Sequence, residues 1–112
     1  MPPLTPFILH TLSFLQMFGG LKTIQVKPGH EAEFERLFAE LRAEMRTREP
    51  GCHLYSLLKS RKRPGAYIVH EQYTDEAAWQ LHESSAHGAK YFPKIRAHLE
   101  KITTEYFNGV VD

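Results

Sequence analysis

The chain has 112 residues, 42% of them hydrophobic and 24% charged, which is the size and make-up of one soluble globular domain and excludes a disordered or low-complexity protein. Lys and Arg number 14 against 13 Asp and Glu, so a net charge of +1 provides no general field for polyanions and nucleic acid is not an expected partner. The single cysteine, Cys52, cannot close an internal disulfide; this argues against a stapled secreted domain and sets the cytoplasm as the expected compartment.

Residues 1–19 read as an extension ahead of a domain at 20–112. The extension holds an apolar stretch from Phe7 to Leu15 that has some likeness to an export signal. No Lys or Arg precedes it, His10 interrupts it, and no small-residue cleavage site follows. It is also far shorter than the ~20 apolar residues a bilayer span needs, so no membrane association is expected. Three readings stay open: an extension that packs on a neighbour, a natural start at Met17, or an exported segment.

Leu21 to Lys27 alternates with Ile24 and Val26 on one face, a strand closed by Pro28-Gly29. His30 to Arg48 places Phe34, Leu37, Phe38, Leu41 and Met45 on one helical stripe, with Glu residues early and Arg residues late as the helix dipole favours. Pro50-Gly51 ends that helix. Cys52 to Leu58 and Ala66 to Tyr73 are the next two strands, joined as a hairpin through the charged turn Ser60 to Gly65. Thr74-Asp75 caps a short helix to Glu83. A second helical stretch is expected from Ala86 to Lys101, with Tyr91, Ile95, Leu99 and Ile102 on one face and Pro93 opening its regular part. Thr103 to Val111 reads as the last strand.

The order is βαββαβ, an α+β fold of ferredoxin-like type with an antiparallel sheet and helices on one face. The second strand is apolar at both parities, Leu54 and Leu58 against Tyr55 and Leu57, so the other face also needs cover. A second copy of the sheet, in an isologous homodimer, is the expected cover.

One ordered set of short motifs runs through this frame. Lys27-Pro28-Gly29 is followed by Glu31 and Phe34; Glu49-Pro50-Gly51-Cys52 by Tyr55; then come Glu71 with Tyr73, Asp75-Glu76 with Ala78, and His82, Ser85 and His87. No single element is specific, but the ordered set resembles the antibiotic biosynthesis monooxygenase domain over about Gly20 to Val111. The resemblance implies a dimeric α+β barrel with a pocket between sheet and helices. It also implies, for some members, oxidation of phenolic or quinol-like compounds by molecular oxygen without metal, flavin or other cofactor. Haem-degrading relatives carry Asn, Trp and His where this chain has Lys22, His82 and Phe92, so haem degradation is not expected. An isomerase branch of the same superfamily remains open, as does a non-catalytic dimeric domain that binds a small ligand or uses its extension to bind a partner.

The expected ligand is therefore a small aromatic molecule. His82 is the candidate catalytic base, and Glu71 the candidate carboxylate beside it. Tyr55, Tyr73, Trp79 and His87 are the candidates for shaping the substrate site. Each has a plainer reading. Glu71 lies in an apolar strand and is expected to pair across the sheet or the dimer interface; the aromatics serve equally as core; His87 reads as a helix cap. His82 and His87 are five apart rather than the four that align two imidazoles on one helix for zinc, so no metal site is expected. His70 points away from Glu71. Arg61, Lys62 and Arg63 are a solubilising turn, and Cys52 a small buried residue rather than a nucleophile.

Overall fold

The structure is a computed structural model that describes residues 17–109. The N-terminal segment before Met17 and the expected end of the last strand at Val111 lie outside the described residues. Within them the elements run β1 (Phe18–Val26), α1 (Glu31–Arg48), β2 (Cys52–Lys59), β3 (Ala66–Tyr73), α2 (Glu76–Glu83), α3 (Ala86–Arg96) and β4 (Leu99–Asn108). The four strands form one fully antiparallel sheet in the order β2-β3-β1-β4, the expected ferredoxin-like arrangement. No helix among the described residues is long and apolar enough to cross a membrane.

The stripe predicted for α1 is the stripe that packs: Phe34, Leu37, Phe38, Leu41 and Met45 are all buried. They meet Ile24 and Val26 of β1, Tyr67 and Val69 of β3, and Tyr91 and Ile95 of α3 in a single core. Each fully buried side chain of this kind contributes about 1.5–3 kcal/mol, and that is what pins the helices to the sheet.

The start of β1 and the passage from α3 to β4 differ from expectation. β1 begins at Phe18 rather than Leu21, because Phe18, Gly19 and Gly20 pair with Tyr73, Gln72 and Glu71 of β3 and extend the ladder. α3 stops at Arg96 rather than Lys101. The Lys27 backbone N–H donates to the His98 carbonyl and the Lys27 ammonium to the Ala97 carbonyl, each at 2.9 Å, which turns the chain into β4 at once. Leu99 pairs with Val26 but Lys101 with Gln25, a β-bulge with one extra residue. The bulge brings Leu99 and Ile102, three residues apart, to the same side of the sheet, and so gave a strand the spacing of a helix.

Pro93 lies inside α3 rather than at its start. The helix begins seven residues earlier because the Ser85 hydroxyl accepts from the Gly88 N–H at 3.0 Å. Pro93 and Ala89, whose carbonyl loses its partner, are both exposed, so water can supply the missing bond.

Candidate functional site

The helix-facing positions of β1 include Gly20, Lys22, Ile24 and Val26; those of β3 are Tyr67, Val69, Glu71 and Tyr73. This alternation puts two polar groups, Lys22 and Glu71, on an otherwise apolar surface. The Lys22 ammonium lies 2.9 Å from a Glu71 carboxylate oxygen, with the Glu71 side chain completely enclosed and the Lys22 side chain 15% exposed. The expected ion pair is thus formed, across the sheet from β1 to β3. The Tyr73 hydroxyl donates to the other Glu71 oxygen at 3.4 Å. Burial, and then the Glu71 charge, hold the Tyr73 and Tyr55 hydroxyls well above their ordinary pKa, so both remain neutral phenols. His70 sits on the opposite face, as strand alternation requires.

A second polar cluster lies between helices and hairpin. Asp75 caps α2 by accepting from the Ala78 N–H at 2.8 Å, and Ser85 caps α3. The break at Ser84-Ser85 places His82, near the end of α2, and His87, in the first turn of α3, on separate helices. Both rings then reach one carboxylate. His82 Nδ1 is 2.9 and 3.0 Å from the two Glu49 oxygens, and His87 Nε2 hydrogen-bonds to the same group. All three side chains are nearly or fully buried, Glu49 at 7% exposure and His82 at 0%.

Burial alone would raise the Glu49 carboxyl, but the hydrogen bonds from His82 and His87 outweigh it and hold the pKa below the ordinary value. A carboxylate can only accept, so the His82 proton belongs on Nδ1, and in the neutral ring Nε2 carries the lone pair. That Nε2 is buried and has no partner among the described residues. The His82 ring is packed by Tyr55 at 5.3 Å, Tyr73 at 5.6 Å and Phe92 at 5.1 Å between centroids.

Two expectations are corrected here. His87 is not a cap: the capping is done by Ser85, and His87 is a buried partner of Glu49. The five-residue spacing does not keep His82 and His87 apart, because it spans a helix break rather than one continuous helix. Their ligand atoms and one from Glu49 lie within 4.8 Å of one another, a set chemically able to hold a divalent ion. Glu49 itself was legible only as part of a turn motif; a Glu directly after an amphipathic helix and before Pro-Gly gave no chemical signal of its own.

Between sheet and helices lies a cavity of about 240 Å³. Ile24, Phe34, Phe38, Val69, Ile95 and Leu99 form its apolar body, and Tyr55 and Phe92 one wall. Tyr55 stacks flat on Phe38, with centroids 5.1 Å apart and planes 6° from parallel. Lys22, Thr104 and Tyr106 supply a polar end on the sheet, and Glu83 and Arg96 of the helices also line the cavity. Of the predicted residues, only Tyr55 lines this cavity directly; His82 and Tyr73 lie behind its wall, and Glu71 behind Lys22. Trp79 is farther along, packed edge-on against Tyr106 at 4.9 Å and against Phe18 at 5.0 Å. Gly20 makes room for Tyr106: a Cβ there would lie 3.1 Å from the tyrosine ring. Cys52 is excluded as a nucleophile at neutral pH, since burial and the Glu49 charge push its thiol up to about 12.

The antibiotic biosynthesis monooxygenase family model matches residues 17–94, which include every residue of the Glu49 cluster and the Lys22–Glu71 pair. The chain belongs to this family. A crystal structure of a candidate antibiotic biosynthesis monooxygenase from Caulobacter crescentus is similar over 93% of this chain and 99% of its own, with 30% identity and a TM-score of 0.82. A Pseudomonas aeruginosa protein shares 26% identity over 88% of this chain and 98% of its own, with a TM-score of 0.76. A conserved protein from Methanosarcina mazei, 24% identical over 89% of this chain and 99% of its own, has the same fold at a TM-score of 0.81. No curated protein matches the chain.

Proposed function

We propose that this family member is a cofactor-independent monooxygenase that oxidises a small phenolic or quinol-like compound with molecular oxygen, working as a homodimer. The observation that carries the reading is the cavity: an aromatic-walled space with an apolar body and a few polar and charged groups around it, below the ~300–1,000 Å³ usual for drug-sized ligands and so suited to one or two rings. The reaction balances without an added reductant. The ring C–H and the hydroxyl O–H supply two hydrogens, one oxygen atom becomes the new carbonyl, and the other leaves as water.

In this reading the protein binds the ring, removes the hydroxyl proton and keeps solvent away from the electron-rich anion. His82 is the base. Glu49 fixes its tautomer by accepting from Nδ1, which leaves the Nε2 lone pair among Tyr55, Tyr73 and Phe92, next to the cavity wall. His87 is the second support of Glu49, and Glu71 holds Lys22 in place. Trp79 braces Tyr106 at the polar end. The homodimer reading is supported by the outer face of the sheet, where Leu21, Leu58, Ile68 and Phe107 are each 37–54% exposed.

Oxygen consumption by metal-stripped protein against a panel of hydroquinones and polyphenols, corrected for autoxidation, tests the function. The expected result is protein-dependent uptake that falls about 10²–10⁴-fold in His82→Ala, the range for loss of a general base. Uptake unchanged in the variant removes His82 from the role. Uptake that needs an added divalent ion transfers the chemistry to the Glu49, His82 and His87 set, and none at all leaves a binding domain.

A further inference from the structure

Among the described residues two cationic side chains line the cavity, Arg96 from α3 and Lys22 from the sheet, and the surroundings of Lys22 describe the ligand it can take. The adjacent strand places Thr104 directly opposite Lys22, and Tyr106 opposite Gly20, so both hydroxyl-bearing side chains lie on the lysine's side of the sheet. All three line the cavity together. An ammonium has three N–H donors. Glu71 is the one charged partner of Lys22 among the described residues, and it approaches from β3, behind the cavity. Lys22 is thereby tied to Glu71 on one side and borders the cavity on the other. The body of the cavity, from Ile24 and Phe34 to Val69 and Leu99, is apolar and cannot solvate a charge; Glu83 and Arg96 are the other charged side chains that line it.

We propose that Lys22 is the anchor for an anionic oxygen on the substrate, so that the cavity selects arenes bearing an ionisable hydroxyl and binds them as phenolates. This rests on reading the cavity as the substrate site. Glu71 is a positioning residue: it fixes the lysine and, by neutralising part of its charge, limits how strongly the phenolate is favoured. Thr104 adds a hydroxyl donor next to the same oxygen. The bound anion is also the form that reacts with oxygen, so anchoring and activation are the same event.

The probe is para-nitrophenol, whose phenolate is read by its visible absorbance. Titrated over pH on wild-type protein, the bound ligand is expected to ionise at a pH about one unit below the free compound, the lower end of the effect of a neighbouring opposite charge. Glu71→Gln should enlarge that shift, because the lysine charge is no longer partly cancelled. Lys22→Met combined with Glu71→Gln, which leaves no buried charge unpaired, should abolish it and weaken phenolate binding about tenfold or more. Equal shifts in wild type and double variant, or no binding by wild type, overturn the proposal. Glu71→Gln keeps the lysine and reports alone if the double variant does not fold: a shift smaller than that of wild type also overturns it. Oxygen uptake without the spectral shift would keep the oxygenase reading and remove the anchor. The shift without oxygen uptake would keep the anchor in a cavity that only binds.

Discussion

Glu49 and Glu71 are both carboxylates taken out of water, and the chain satisfies them in different ways. Glu49 is held by two imidazoles from two short helices, and no part of that cluster lines the cavity. Glu71 is held by one ammonium, from the neighbouring strand, that does line it. The first arrangement is a closed support that orients a ring. The second is a largely buried ion pair whose lysine borders the cavity and whose carboxylate does not. A buried carboxylate is thus no guide to function by itself; what it holds, and whether that partner reaches a space a ligand can enter, decides its role.

The largest effect that would break this comparison is on the Glu71 side. Lys22→Met leaves an unpaired charge in the core and is expected to cost about 3–5 kcal/mol in urea or thermal unfolding. Most of that loss should return when Glu71→Gln is added, since replacing both charges together is often near neutral. A double variant as unstable as the single would show that the pair is structural in its own right rather than a charge held for the cavity.

The Glu49 side should respond less in size but more in its pH dependence. Because the folded-state pKa of Glu49 is lowered, its ionised form contributes stability that is fully present above the unfolded carboxyl value of 4.5 and is lost as pH falls through the folded value. Glu49→Gln is expected to cost about 1.5–3 kcal/mol at neutral pH, the range for hydrogen bonds to a charged group, and to flatten the acid limb of the stability profile. An acid limb identical in the two proteins would assign the loss to other carboxylates.

Glu35 sets the small end of the scale. It pairs with Lys59 at 2.9 Å and accepts from the Tyr67 hydroxyl, but the Glu35 and Lys59 side chains are 42% and 63% exposed. The Tyr67 hydrogen bond, more than the lysine, lowers its pKa. Lys59→Ala should therefore change unfolding free energy by less than about 1 kcal/mol, and 0.5 M salt should reduce even that. A loss equal to that of Lys22→Met would mean that burial does not control these pairs.

The sequence by itself determined the element types, their order and the face each buries. Phe34, Leu37, Phe38, Leu41 and Met45 announce α1 through a 3.6-residue period, and the alternation of β3 places Glu71 inward and His70 outward, because both patterns are local geometry. The ordered turn and His motifs were enough to indicate the family. Tertiary structure alone decided where α3 gives way to β4, since a bulge against β1 makes Leu99 and Ile102 imitate a helical face. It alone brought Glu49 of the α1–β2 connection to His82 and His87, 33 and 38 residues later, across a helix break that reverses what their spacing implies. It also turned Lys22, which in sequence is one polar residue in an alternating strand, into the charged end of a cavity. Periodicity reports which face of an element is buried; which charges share that burial depends on register, bulges and helix breaks, and those are fixed only when the elements pack.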